Sequence, residues 1–567
     1  MKVLFDHVGY EPDSEKVLLI EAPHDATWTS VAVVRMPSGE VVTDVQPIFV
    51  GGVEGWSCGP WWSLDVSFLR EPGRYAVRWQ AAGSAGQSEG FTIAADAHGD
   101  QLLSDIVHYI KGQRCSGIWD RADRSAPRVG DGLRRDVHGG WYDASGDYSK
   151  YLSHLSYANH MNPQQTPLVV WTLARVWHRA ADALPPLLRE RIRDEALHGA
   201  DWLVRMQDPE GFWYTTVFDG WSKDPEQREL ASYRTQLGHK GSDYQAGWRQ
   251  GGGMAAAALA LASTLGDGPD HTSDEYRATA LLGFEHLRAH GLDYLDDGRE
   301  NAIDDTCALL AAIELASAFG GTAPTTVHDE LEHRLDRMLA RRRTTGDHVW
   351  LRADEAGERS WFHASDEGLP GVTLLRLGEL LPDHPRAGIA RELATELLAA
   401  QLLLGESVVN PFGYPPHWIA TPGEPGRMQW FYPHHNESGY WWQGENGRLA
   451  SLAALAFSVE AVPSAGRAAE RWIAWIVGAN PFDVCMLQGH GRNNPPYEPG
   501  FHNAPGGVCN GITSGLDDES DIAFRPMPAA GTREHSWRWG EQWMPHAAWL
   551  LLALVLAGTT RSAADQS

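Results

Sequence analysis

The sequence predicts a mainly α protein, an (α/α)6 toroid preceded by an immunoglobulin-like β-sandwich, and three observations predict it. Residues 1–95 read as short β-branched and aromatic runs cut by turn signals. Residues 96–567 carry helical periodicity in about twelve segments, and the connections between those segments alternate between short and long.

The strand runs are 16–20, 30–35, 48–50, 61–68, 74–79 and 90–93, with Pro37-Ser38-Gly39 and Glu71-Pro72-Gly73 as turns. No cluster of acids, histidines or glycines interrupts them, so this segment reads as a structural module packed on the helical part. The period changes near Asp96. The helical segments are 98–113, 167–180, 186–207, 247–264, 273–290, 303–318, 326–343, 368–381, 387–404, 446–460, 464–477 and 545–557. Thr166-Pro167 offers an N-cap followed by proline, Pro545 opens the last helix, and Gly266, Gly320 and Gly558 stand where C-terminal glycines belong.

Connections at 180–186, 318–326, 381–387 and 460–464 are short, whereas those at 114–166, 208–246, 344–367, 405–445 and 478–544 are long and rich in Trp, Tyr, His, Gly and Pro. In an up-and-down array of helical hairpins, all the long ones emerge on one face, which is where function is expected. A helical solenoid, the alternative, would show a repeat of fixed period, and none is found.

Composition narrows the partners. The 567 residues are 43% hydrophobic, enough for more than one domain and a large core. With 47 basic against 74 acidic residues the net charge is -27, which argues against nucleic acid or an anionic membrane and favours a small neutral or cationic substrate. No apolar run reaches the roughly 18 residues needed to span a bilayer, the best being 547–558. The opening apolar run is cut by Asp6 and His7, so a cytoplasmic location is expected. Cys58, Cys115, Cys307, Cys485 and Cys509 show no CxxC pairing and are expected as free thiols. The 25 tryptophans exceed what a core usually needs and suit the stacking walls of a carbohydrate cleft.

Two stretches carry the chemistry. Gly139-Gly140-Trp141-Tyr142-Asp143-Ala144-Ser145-Gly146-Asp147-Tyr148-Ser149-Lys150-Tyr151 sets Asp143 and Asp147 four residues apart on a turn-prone segment, with Trp141 and Tyr142 among the rings available to a sugar. Trp537-Arg538-Trp539-Gly540-Glu541-Gln542-Trp543 places Glu541 among tryptophans, where desolvation should keep it protonated and able to serve as a general acid. Ring closure makes the first and last helices neighbours, so Glu541 is expected beside the Asp143/Asp147 loop.

In these features the chain resembles glycoside hydrolase family 9 over nearly its full length. The family's Asp-Ala-Gly-Asp-x-x-Lys-Phe/Tyr motif is matched by 143–151 with one residue inserted between the aspartates, and its Gly-x-Asn-Pro helix ending by Gly478-Ala479-Asn480-Pro481. The resemblance implies an inverting hydrolase with Asp147 as base, Asp143 as its partner on the water and Glu541 as acid, although Gly540 replaces the usual preceding Asn. The family's His-x-Arg substrate motif is only loosely matched, by His490-Gly491-Arg492 or around His502. The inserted residue and the segment 151–167 look most like the family's exo-β-D-glucosaminidase branch, which releases glucosamine from chitosan oligosaccharides. The alternatives are an endo-β-1,4-glucanase or β-glucosidase acting on cello-oligosaccharides and, in another class, a non-catalytic carbohydrate-binding protein.

A glucosaminyl C2 ammonium needs a carboxylate, and the sequence leaves Asp143, Glu437 and Glu445 open for that role. Tyr440, Trp441, Trp442 and Trp543 are expected at the substrate, with one of Trp441 and Trp442 turned into the packing. No catalytic metal or other cofactor is expected. Structural calcium, frequent in the family, has its candidate in Asp517-Asp518-Glu519-Ser520-Asp521. The oligomeric state is left open.

Overall fold

Nine strands lie within residues 2–93 of the computed structural model, which describes residues 1–180, 183–357, 359–501 and 503–564. They are β1 (Lys2–Leu4), β2 (Val17–Glu21), β3 (Trp28–Arg35), β4 (Val41–Asp44), β5 (Ile48–Gly51), β6 (Trp61–Asp65), β7 (Gly73–Ala81), β8 (Ser84–Gln87) and β9 (Phe91–Ile93). Two antiparallel sheets form, ordered β1-β2-β6-β5 and β4-β3-β7-β8, with β9 on β7. Their inner faces meet through Leu18, Ile20, Val31, Val33, Tyr75 and Val77. Three strands exceed the sequence expectation: β1 has three residues, β4 is an exposed edge, and β8 (Ser-Ala-Gly-Gln) has no β-forming side chain and owes its form to pairing with β7.

Twelve longer helices make up the rest of the frame: α1 (Asp100–Gly112), α2 (Thr166–Arg179), α3 (Pro186–Arg205), α4 (Gly253–Ala262), α5 (Ser273–His290), α6 (Ala302–Phe319), α7 (Thr325–Ala340), α8 (Leu369–Leu380), α9 (Ala387–Glu406), α10 (Asn446–Phe457), α11 (Ala465–Ile476) and α12 (Met544–Ala564). The even-numbered helices touch in the order α2, α4, α6, α8, α10, α12 and back to α2, and each odd-numbered one packs outside. Side-chain chemistry sorts the layers. Every residue of α4 (GMAAAALALA) is buried, as an apolar-all-round helix requires, and so is every residue of α10, whose Arg448 and Ser451 are hydrogen-bonded in the interior. In contrast α11 buries one stripe that includes Trp472, Ile473, Trp475 and Ile476.

Helix ends differ in three places. Thr166 is the first helical residue of α2 rather than its cap. The segment 247–264 starts as a wide turn, Trp248–Gly252, because Gly251 takes φ +99° where a Cβ would lie 2.5 Å from that of Leu152. Gly558 does not end α12, which continues to Ala564.

The sandwich is joined firmly to the helices. Trp61 meets Phe412 edge-on at 4.9 Å, Trp56 stacks on Phe431 at 6.0 Å, and the His7 N–H donates to the Val477 carbonyl at 3.0 Å. All five cysteines are free thiols, and no helix among the described residues is long and apolar enough to cross a membrane.

Candidate active site

The loop between α1 and α2 is fixed from beneath by a buried charge cluster. Lys150 donates to the carbonyls of Val137 and Gly139 at 2.8 Å each and lies 2.7 Å from Asp123. Asp123 in turn takes a bidentate pair from Arg228 at 2.6 and 2.7 Å. Burial alone would raise the Asp123 carboxyl, but Lys150 and Arg228 overcome it and hold the group below its ordinary value. Such geometry repays the desolvation of the three charges. Next to this anchor, Lys150 and Tyr151 pair with Val217 and Thr216 in a four-stranded sheet whose other strands come from the loop between α3 and α4.

The same loop grips the segment before α12. The Ser145 N–H donates to the Gln542 carbonyl, the Gln542 N–H donates to Ser145 Oγ, both at 2.9 Å, and the Met544 N–H donates to the Asp143 carbonyl at 3.2 Å. Ser145, in the stretch lengthened by one residue, is therefore the clasp that brings Glu541 to the aspartates. Gly146 takes φ +87° and its missing side chain makes room for the Phe501 ring, 2.4 Å from where a Cβ would stand.

Asp143, Asp147 and Glu541 line one cleft of about 790 Å3. Asp147 Oδ1 accepts from the Ser149 N–H at 2.8 Å and Oδ2 from the Tyr151 hydroxyl at 3.0 Å. Burial and the Asp219 charge raise its pKa, while those two donors favour the carboxylate. Burial, then the Asp147 charge, pushes Glu541 well above its ordinary value, opposed by Trp543 and by the Tyr497 hydroxyl 3.5 Å away. Asp143 is also pushed well up by burial and by the charges of Asp147 and Glu541. Its Oδ1 is buried with no hydrogen-bond partner in the protein, and its neighbour His154, 3.7 Å from Oδ2, is pushed by burial down to about 3 and so is neutral. Three close carboxylates titrate as a set rather than singly. The arrangement can hold one of them protonated to donate while another stays ionised to accept.

Of the rings expected at the substrate, Trp441 and Trp543 line the cleft, with Trp441 stacked on Trp537 at 5.7 Å. Trp442 is packing: it is fully buried and stacked on His434 at 4.1 Å. Trp141 is not at the cleft wall. It is buried against Gly199 of α3 and donates its Nε1–H to Glu195 at 3.2 Å. Tyr142 does not reach the cleft either. Its hydroxyl contacts the Ser116 backbone, and its ring braces Tyr148, which does line the cleft. The Tyr440 side chain and His502 lie outside the described residues.

Two expected amine partners stand elsewhere. Glu437 pairs with Arg359, which overcomes burial and holds it below its ordinary value. Glu445 is buried at 3.0 Å from both His417 and the Tyr414 hydroxyl and 3.1 Å from Arg448. It ties the 405–445 loop to α10. Glu445→Ala takes from Arg448 the nearer of its two carboxylates, leaving Glu367 at 3.5 Å, and removes the buried acceptor of Tyr414 and His417, so it should lower unfolding free energy by about 1–3 kcal/mol, measurable by denaturant titration. The first of the two loose His-x-Arg matches stands apart from the cleft wall, with His490 paired to Asp105 of α1 and Arg492 to Asp483.

Sequence reasoning missed the wall supplied by the loop between α3 and α4: Asp219, Trp221, Lys223 and Tyr233. Their only local signal was loop length. Tyr497, Glu498 and Phe501 from the last long loop complete the wall.

The residues of the acidic run do not fit calcium. Glu519 accepts from Gln429 and from the His434 N–H, Asp521 from the Ser57 N–H, and Asp518 from Ser520. Among the described residues no three His, Cys, Asp or Glu side chains are grouped to hold a metal.

Comparison with known proteins adds the lineage. The family model of glycosyl hydrolase family 9 matches residues 100–504, a span that includes both aspartates. The chain is 24% identical over 246 residues to a xyloglucan-specific endo-beta-1,4-glucanase of Bacteroides ovatus. That alignment takes in 39% of this chain and 40% of the relative, less than half of each. It shares its fold with a metagenome-derived glycoside hydrolase family 9 endoglucanase at 21% identity, 99% of each chain covered and a TM-score of 0.67. The same holds for a mutant thermostable endoglucanase from Alicyclobacillus acidocaldarius at 19% identity, 99% of each chain and 0.64. The chain belongs to glycosyl hydrolase family 9, a family of enzymes that cleave glycosidic bonds.

Proposed function

We propose that this chain is an inverting exo-β-D-glucosaminidase built on an (α/α)6 toroid, releasing glucosamine from the non-reducing end of chitosan oligosaccharides. Asp147 acts as general base: two of its lone-pair sites are held by Ser149 and Tyr151, and the others remain for a water. The water oxygen attacks C1 as its proton passes to Asp147. The bond from C1 to the leaving oxygen breaks as Glu541 delivers its proton to that oxygen, and the product is the α-anomer. Asp143 orients the water, and a C2 ammonium docked beside it favours its ionised form.

The observation that carries the sugar assignment is the charge of the cleft wall, where seven Asp and Glu residues outnumber three Lys and Arg. Asp143 is the one of the three sequence-nominated carboxylates that lines the cleft. A second reading, endo-β-1,4-glucanase action, draws support from the relatives named above and from the rings of Trp441, Trp537 and Trp543, which suit an uncharged glucan as well.

Substrate comparison separates them. Turnover of the free-amine dimer should exceed that of the N-acetylated dimer by at least about tenfold, the equivalent of one interaction of about 1.4 kcal/mol. Proton NMR of fresh product should show the α-anomer first. Glucose or cellobiose release from cello-oligosaccharides at a comparable rate would favour the glucanase, and an early β-anomer would defeat the two-acid mechanism.

A further inference from the structure

Two cations on the cleft wall lack counter-charges. Lys223 and Arg533 both line the cleft, and among the described residues neither head group makes a hydrogen bond or an ion pair. Lys223 instead rests over the Phe501 ring, 3.0 Å from its centroid.

The chain works to keep Lys223 there. The Asp219 carboxylate accepts from the Trp221 N–H at 3.0 Å, the Lys223 N–H at 2.9 Å and the Ser149 hydroxyl at 2.9 Å. Wrapped this way, Trp221 and Lys223 adopt left-handed backbone at φ 55° and 58°, a conformation that costs a non-glycine residue about 1–2 kcal/mol. Both side chains reach the cleft, and stored strain of this kind marks sites more often than scaffolding. Burial and the nearby Arg533 charge both disfavour the Lys223 ammonium. Glu498, Asp147 and Asp219 pull the other way without pairing with it. In a protein of net charge -27, two cations on one cleft wall, near enough for Arg533 to disfavour the Lys223 ammonium and neither in an ion pair, await a negative group from a ligand.

We propose that Lys223 and Arg533 form an anion subsite inside the cleft, which takes a carboxylate or a phosphate ester on a sugar unit joined to glucosamine in a mixed oligosaccharide, a group that chitosan itself does not carry. The ammonium supplies a point charge and the guanidinium a planar fork, together suited to either anion. The inference rests on the cleft being a saccharide site, and it adds a second charge requirement to the one met by Asp143.

Binding and turnover test it separately. With Glu541→Gln blocking hydrolysis, calorimetry compares glucose, glucuronate and glucose 6-phosphate. At least one anion should bind about tenfold or more tightly than glucose, and the gap should shrink as salt rises. Lys223→Met or Arg533→Gln should close most of the gap, whereas Lys223→Arg should retain it. A preference for the phosphate alone identifies an ester, and for glucuronate a uronic acid. Equal binding of all three, no binding of either anion up to about 10 mM, or a gap that survives the double substitution overturns the subsite. Failure of the wild type to hydrolyse aryl β-glycosides with or without a 6-phosphate, alongside charge-dependent binding, would instead sink the hydrolase reading and leave the subsite standing.

Discussion

Glu541→Gln is expected to lower turnover of an unactivated oligosaccharide by roughly three powers of ten while leaving sugar binding intact, in keeping with the loss of a positioned general acid. The leaving oxygen then departs unprotonated, so the defect should shrink on an aryl glycoside whose phenol needs no proton. The same substitution should stabilise the fold. Burial and Asp147 raise the Glu541 carboxyl well above its ordinary value, so the folded state holds that proton more tightly than the unfolded chain does. Stability associated with this proton is fully present below the ordinary glutamate range and is lost as pH rises through the raised value. Glutamine has no proton to lose. The melting temperature of Glu541→Gln should therefore exceed that of the wild type by a margin that grows as pH rises above the ordinary glutamate range. The alkaline limb of the wild-type kcat/KM profile should fall with the titration of Glu541, and its acid limb with Asp147, also raised by burial but favoured as carboxylate by Ser149 and Tyr151. Equal melting curves at every pH above the ordinary glutamate range would remove Glu541 from its desolvated position.

How much of the molecule could be read from its sequence depends on the distance over which each property is decided. The layers of the helical part were legible because burial is written locally: α4 is apolar on every side and α11 on one. Asp143, Asp147 and Glu541 were legible for a similar reason, since turn chemistry and neighbouring rings lie within a few residues. The stretch holding Ser145 stood out as one residue longer, yet the clasp of Ser145 on Gln542 joins positions 397 apart and was invisible. Trp141 and Trp441 look alike in sequence. One is drawn into the core by Gly199 and Glu195 on a distant helix, and the other is left on the cleft wall beside Trp537. Glu445 carried a local hint, Arg448 three residues on, that it belonged to an ion pair rather than to a ligand. Lys223 carried none, because its place depends on the Asp219 wrap and on Phe501.

Asp147→Ala should be the more damaging of the two aspartate changes, lowering turnover by about three to four powers of ten on activated and unactivated substrates alike. Its task is to take a proton from the attacking water, and a better leaving group does not replace that. Insensitivity to the leaving group thus distinguishes it from Glu541→Gln, whose defect an activated phenol relieves. Asp143→Ala should cost less on the catalytic step, since burial and the charges of Asp147 and Glu541 disfavour the Asp143 carboxylate, and no donor steadies it as Ser149 and Tyr151 steady Asp147. Burial and Asp219, not Asp143, are what raise Asp147, so the acid limb of the kcat/KM profile should keep its position in that variant. Kinetics of the three variants on a dinitrophenyl and a methylphenyl glycoside, with pH profiles, decide the roles. Should Asp143→Ala show the leaving-group-independent collapse and Asp147→Ala the milder loss, the two aspartates exchange places, and the Ser149 and Tyr151 donors would then be orienting a positioning residue rather than the base.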